Sequence, residues 1–273
     1  MSAEPRREAA GRVEAGRAVG RDVELITSDD VRLRARRWDA TGKRRATVVL
    51  VHGFAASLDE EKMVALVEAL GAAGFDGIAY DGRGHGGSGG ETTLGDRERW
   101  DVEAAVTAIG APAAPVVLVG ASMGAIAALR FAASSPGSVG GLVTVSCPAW
   151  WRLPRNGRGL LSVLLTQTPV GREFARRQMG VRIARCGPRP APPIELVGEV
   201  GAPVAVVHGR ADPFISVADA EALFAAAHEP RRLELVDGLG HAFEPEATPA
   251  ILAALGWCLE PTPASPTAGP DRG

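Results

Sequence analysis

The chain has 273 residues, 46% of them hydrophobic and 23% charged, and a formal net charge of −2 from 30 basic and 32 acidic side chains. That length buries a sizeable core as one large α/β domain or two ordinary ones, and that composition excludes a disordered or fibrous chain. A near-neutral balance argues against nucleic-acid binding, which calls for a clear basic excess.

Residues 1–22 alternate arginine with glutamate, alanine and glycine, and Gly11, Gly16 and Gly20 interrupt any helix, so an N-terminal arm is expected there. The arm holds no apolar run of signal type, and no stretch approaches the ~18 apolar residues of a membrane span. Strands are predicted over 23–27 and 31–38, joined as a hairpin by the turn at Ser28-Asp29-Asp30. The unbroken apolar run 46–51 has the pattern of a strand buried on both faces. Ser57 with Glu60 makes a capping-box signature, and Met63, Val64, Leu66, Val67 and Leu70 continue it as a helical stripe up to Gly74. A strand at 75–80, a helix at 94–109, a strand at 115–119, an alanine-rich helix at 122–134 and a strand at 139–145 follow.

After a break at 148–200 the alternation resumes, with strands at 203–207 and 231–236 and helices at 216–227 and 248–259. The tail, 260–273, carries Pro261, Pro263, Pro266 and Pro270 and reads as disordered. The fold class is therefore α/β, a mostly parallel central sheet flanked by helices, with its core in 23–147 and 201–259. The break is about 50 residues, too long for an ordinary loop, and is expected to be an inserted cap. Cys147, Cys186 and Cys258 are odd in number and lack metal-ligand spacing, the pattern of reduced thiols in a cytoplasmic protein.

The sharpest chemical feature is Gly120-Ala121-Ser122-Met123-Gly124, a G-x-S-x-G pentapeptide between an apolar strand and a helix. That setting suits a nucleophile elbow, with glycines on both sides because neighbouring Cβ atoms would collide with the flanking elements. Alone, the same pattern also fits a plain strand-to-helix turn capped by Ser122. A serine needs an adjacent base. Of five histidines, His241 lies between the last strand and the last helix, where an open α/β sheet places its ligands. His208 ends a buried strand and suits a core role, His228 is expected in solvent, and His85 sits in a glycine-dense loop. Asp212, a few residues past the preceding strand, is the candidate carboxylate to orient the imidazole, ahead of Asp219 and Asp237. The order Ser122, Asp212, His241 is that of a hydrolase triad on this type of sheet.

With those residues in place, the chain resembles the α/β-hydrolase superfamily, its serine hydrolases of esterase and lipase type, over roughly 23–259. His52-Gly53-Phe54 after the third strand is similar to the family's oxyanion loop, and Asp81-Gly82-Arg83-Gly84-His85-Gly86-Gly87-Ser88 to its D-x-R-G-x-G-x-S turn. The resemblance implies Ser122 as nucleophile, His241 as base, Asp212 as acid, and the backbone N–H groups of Phe54 and Met123 as the oxyanion hole. It implies structural roles for His52 and for Asp81 and Arg83, these last as a turn and ion pair. The single Gly53 departs from the H-G-G-G version of the loop, and a serine at 122 sets the chain apart from relatives with an aspartate nucleophile.

Within 148–200 there are nine arginines against three glutamates, a pattern that suits either an anionic substrate or a solvated face. Trp150, Trp151, Leu160 and Leu164 are candidates to line an acyl pocket, or to pack the cap on the core. The expected activity is cleavage of carboxylic esters of small acyl substrates, with no metal or organic cofactor and no nucleic-acid partner. Thioesterase, peptidase and acyltransferase chemistry share the same triad, and a non-catalytic ligand-binding form of the fold is the rival of another class. Oligomeric state is open.

Overall fold

Val- and Leu-rich runs set the strands, and the helical stripes between them bring the chain back across the sheet. The computed structural model describes residues 20–111, 114–151, 157–185 and 190–260. The expected arm and tail fall almost wholly outside those residues, as does Cys186.

Eight strands form one sheet: β1 (Arg21–Ile26), β2 (Arg32–Trp38), β3 (Ala46–Val51), β4 (Phe75–Tyr80), β5 (Val116–Ala121), β6 (Gly141–Val145), β7 (Val204–Gly209) and β8 (Arg231–Val236). Their order is β1-β2-β4-β3-β5-β6-β7-β8. The β1–β2 hairpin and the β2–β4 pair are antiparallel, and all pairs from β4 to β8 are parallel. Every residue of β3, β4, β5, β6 and β7 is buried. Coverage on both faces is why these strands read as continuous apolar runs.

Two cores sandwich the sheet. On one face pack α2 (Glu98–Ile109), α3 (Met123–Ser134) and α7 (Val217–Ala226), through Val102, Ala105, Ile126, Leu129 and Leu223 among others. On the other pack α1 (Glu61–Ala72) and α8 (Ala247–Cys258), through Met63, Leu66, Leu70, Ile251 and Leu255. Parallel strands covered by helices on both faces make the α/β layering expected from the sequence.

Two helix starts differ from expectation. The Ser57/Glu60 capping box does not form: α1 begins at Glu61, with no side-chain cap at Glu60. The Leu58 N–H donates instead to Asp81 Oδ1 at 2.8 Å, so a carboxylate distant in sequence shapes this loop. Likewise α2 starts at Glu98, not at 94, because the buried Glu98 carboxylate gathers the Thr93 and Gly95 N–H groups at 2.7 and 2.9 Å and leaves Leu94 at φ +63°.

Between β6 and β7 lie α4 (Gly157–Gln167), α5 (Pro169–Phe174), a single π-helical turn (Ala175–Met179) and α6 (Pro193–Leu196). Thr168 caps α5, its Oγ1 accepting the Gly171 N–H at 2.9 Å, with Pro169 at the first helical position. Val197 and Val200 are buried in the core beside α3 and α7. Ile194 and Leu196 pack against the same cluster. Among the described residues no helix is long and apolar enough to cross a membrane.

Candidate active site

Ser122 stands between β5 and α3 at φ +50° and ψ −114°, a conformation that costs a non-glycine residue free energy and persists only where the surroundings over-determine it. The constraint is visible in its flanking glycines. A Cβ at Gly124 would lie 2.3 Å from the Val51 oxygen and 2.5 Å from that of His52, and one at Gly120 would lie 2.5 Å from the Gly124 oxygen. The helix start is thus pressed against the end of β3. The Ser122 N–H donates to Val145 O at 2.9 Å, and its carbonyl accepts the Ile126 N–H at 3.1 Å.

Asp212 follows β7 in a tight turn in which its Oδ1 accepts the Phe214 and Ile215 N–H groups at 2.8 and 3.0 Å. Its Oδ2 meets His241 Nδ1 at 2.7 Å, with the carboxylate at 0% exposure and the imidazole at 21%. A carboxylate only accepts, so Nδ1 carries a proton, which in the neutral ring leaves the lone pair on Nε2. Burial works to raise the Asp212 pKa, but the His241 bond and charge and the two turn amides outweigh it and hold the carboxyl below its ordinary value. The Phe214 ring meets His241 edge-on, with centroids 5.0 Å apart.

The loop after β3 flanks Ser122: a Cβ on Gly53 would lie 3.4 Å from Ser122 Cβ. Two histidines hold it. His52 Nδ1 donates to Gly53 O at 2.7 Å and its Nε2 accepts the Gly82 N–H at 2.8 Å. His85 Nδ1 donates to Arg83 O at 3.0 Å, and its Nε2 accepts the Ala55 N–H at 3.2 Å. Both rings are neutral, and burial lowers the pKa of each, that of His85 to about 3. The two amides expected as oxyanion donors belong to Phe54, in this loop after β3, and to Met123, the first residue of α3 directly after Ser122.

The other candidates take structural places. His208 is fully buried, its Nε2 on Ile215 O at 3.2 Å and 4.0 Å from Asp212. His228 is exposed. Asp219, in α7, accepts the Ala149 N–H at 3.0 Å, and Asp237 pairs with Arg210 at 3.0 Å. The expected Asp81–Arg83 ion pair is not formed. Arg83 instead bridges Asp101, at 2.7 Å, and Asp29, at 2.8 Å, because Asp81 is turned to the Leu58 and Gly87 amides.

Trp150 and Trp151 pack against the core, and Trp151 Nε1 donates to Pro190 O at 2.7 Å. Leu160 and Leu164 stand 53% and 51% exposed. Farther on, Ala175, Val181 and Ile183 pack on Phe54 and Ala55, and the Thr92 N–H donates to Arg182 O at 2.8 Å. Arg176 and Arg177 pair with Glu173 at 2.6 and 2.5 Å, so part of the local positive charge is already neutralised. Among the described residues no group of three or more His, Cys, Asp or Glu side chains is placed to hold a metal ion.

Sequence reading passed over Ser146, which joins the site from β6 and accepts the Ala242 N–H at 3.1 Å. It belongs to no motif, and its backbone conformation leaves no mark in the sequence.

Residues 42–181, just over half of the chain, match the model of the serine aminopeptidase S33 family of hydrolases. The chain belongs to this family. It is 27% identical over 208 residues to the uncharacterized protein YqkD of Bacillus subtilis, a match spanning 72% of this chain and 65% of that one, just under two thirds. It is 29% identical over 225 residues to an uncharacterized protein of Mycobacterium tuberculosis, spanning 81% of this chain and 72% of that one. In structure it is similar to an esterase of Pyrococcus furiosus, with TM-score 0.68 and 22% identity over 94% of this chain and 99% of that one. An esterase of Rhodococcus sp. gives TM-score 0.65 and 21% identity over 87% and 98%. At these identities the structural likeness establishes the fold: the protein is an α/β hydrolase with esterases among its structural neighbours.

Proposed function

We propose that this α/β hydrolase cleaves carboxylic esters through an acyl-enzyme on Ser122. The observation that carries the reading is the buried Asp212 carboxylate 2.7 Å from His241 Nδ1, at the same end of the sheet as a strained serine. His241 Nε2 takes the Ser122 proton as Oγ attacks the ester carbonyl, and the Phe54 and Met123 N–H groups receive the oxyanion. Collapse breaks the C–O bond, with the His241 proton passing to the departing alcohol. Water, deprotonated by the same imidazole, then frees the acid and restores Ser122. Asp212 keeps the imidazole in the tautomer this cycle needs.

Residues 157–185 serve as a cap beside the site, seated on Phe54 and Ala55 through Ala175, Val181 and Ile183. In this reading Trp150, Trp151, Leu160 and Leu164 would meet the acyl chain.

The family's description favours a second reading, removal of N-terminal amino acids. That reaction needs carboxylates to hold the substrate's ammonium group. Around this site Asp212 is engaged by His241 and Glu173 by two arginines, and the neighbouring segment is arginine-rich, which supports the ester.

A fluorophosphonate probe tests the reading. Labelling of the wild type, lost in Ser122→Ala and His241→Ala, is expected, together with turnover of p-nitrophenyl esters in preference to aminoacyl anilides. Turnover of anilides alone would replace the ester reading with the peptidase. An unlabelled, inactive wild type would move a ligand-binding role ahead of both.

A further inference from the structure

Two consecutive residues at the end of β6 hold both sides of the proposed reaction centre. Val145 O accepts the Ser122 N–H at 2.9 Å. Ser146, the next residue, accepts the Ala242 N–H on its Oγ at 3.1 Å, one residue past His241. Its own N–H donates to Val207 O at 3.0 Å, on the strand that leads to Asp212. Ser146 is 0% exposed and lies at φ +51°, and Ala242 lies at φ +63°. Both are in the left-handed region, which disfavours any residue with a Cβ.

A glycine at 146 would relieve that backbone, so the side chain needs a reason to be there. The reason is the hydroxyl oxygen, which is the acceptor for an amide that would otherwise go unpaired beside the core. The other ties of the His241 loop run elsewhere. Gly240 N–H bonds Glu244 within the loop at 2.9 Å, and Ala211 N–H bonds Leu239 O at 3.1 Å. His241 itself is anchored through Nδ1, a single bond about which the ring follows its backbone. Among the described residues it is the Ser146–Ala242 bond that ties this loop to the end of β6, whose Val145 O accepts the Ser122 N–H.

We infer that Ser146 is a positioning residue: through the Ala242 amide, its hydroxyl sets where His241 presents Nε2 to Ser122. The inference rests on the proposed roles of Ser122 and His241. A displacement of about 1 Å at such a centre is enough to cost a reaction roughly a hundredfold.

Two variants separate the oxygen from the backbone. Ser146→Ala keeps the Cβ at positive φ and removes the acceptor, whereas Ser146→Gly removes the acceptor and relieves the backbone. On a p-nitrophenyl ester both should lose at least about tenfold in kcat with KM within about twofold of wild type, and Ser146→Gly should melt no lower than wild type. A Ser146→Gly enzyme with wild-type kcat overturns the inference, and it carries the test if Ser146→Ala fails to fold. A second readout needs no substrate. The His241 Nδ1 proton on Asp212 should give a downfield proton resonance, identified by its loss in His241→Ala. In Ser146→Gly it should move or broaden by faster exchange, and an unchanged position and width overturns the inference. A wild type inactive on every ester would defeat the ester reading alone, leaving the resonance to decide the role of Ser146.

Discussion

The loops at the strand ends and the segment 157–185 obey opposite rules. At the strand ends polar side chains are buried and paired: His52, Asp81, Arg83, His85 and Ser146 are all at 2% exposure or less, each bonded to a distant part of the chain. In 157–185 Ala175, Val181 and Ile183 are buried against Phe54 and Ala55, but several large apolar side chains face outward, with Leu161 at 56%, Val170 at 80% and Phe174 at 53%. Strain follows the same division, since Ala55, Ser122, Ser146 and Ala242 all sit at positive φ on the paired side. Such conformations survive where several bonds over-determine them. The strand ends can therefore hold a reactive geometry, whereas the exposed apolar side chains of 157–185 carry no such set of ties.

The largest effect expected on the paired side comes from Asp212→Asn. The Asx turn can survive on Oδ1, but an amide cannot select the Nδ1–H tautomer of His241 as the carboxylate does. A fall of about 10⁴-fold in kcat is expected with the fold intact by circular dichroism. Full activity in this variant would detach Asp212 from the chemistry.

Next in size is packing. Gly124→Ala places a methyl group 2.3 Å from Val51 O, where the neighbour is backbone and cannot swing aside. A loss of about 1–3 kcal/mol in urea unfolding is expected, with activity falling in parallel because β3 and the Ser122 turn must separate. An unchanged midpoint would show that the turn is looser than its contacts imply.

These two regions also explain what the sequence disclosed. The strands were legible because β3 to β7 are covered on both faces, which leaves an unbroken apolar run as their mark. Ser122, Asp212 and His241 were legible as candidates because each lies just past a recognisable strand, within turn chemistry that depends on glycine or on an Asp-Pro pair. What stayed hidden were partners brought from far along the chain. Asp81 takes the Leu58 amide in the loop where a capping box was expected at Ser57, and Arg83 finds Asp29 and Asp101 in place of Asp81. Ser146 was hidden for another reason, since serine is the usual choice at neither a positive φ nor a strand end.

A pH titration measures how far the pairing depends on neutral rings. Burial, then the neighbouring His52, lowers the His85 pKa from its ordinary 6.5 to about 3. Below pH 6.5 the unfolded chain takes up a proton that the folded one refuses until about pH 3. Stability should therefore fall with acidification across that window, by up to about 1.4 kcal/mol per pH unit for this one group. His85→Gln keeps an acceptor for the Ala55 amide and removes the titration, so its stability should fall less steeply over the same range. Equal slopes in variant and wild type would mean that His85 is protonated in the folded protein.

The smallest effect is expected where the apolar side chains face water, and it is sharpest as a paired measurement of one substitution in both regions. Leu118 lies in β5 at 0% exposure, and Leu161 in α4 at 56%. Truncating Leu118 to alanine removes buried surface and leaves a cavity, at a cost of about 2–5 kcal/mol. The same change at Leu161 removes surface that is already wet and should stay within about 0.5 kcal/mol. If Leu161→Ala costs as much as Leu118→Ala, the segment is buried in solution by a contact beyond those seen in the single chain. If it costs nothing to stability yet raises KM for long acyl esters more than for short ones, the exposed face of α4 takes part in gathering the acyl chain, and the contrast between the two regions becomes a division of labour.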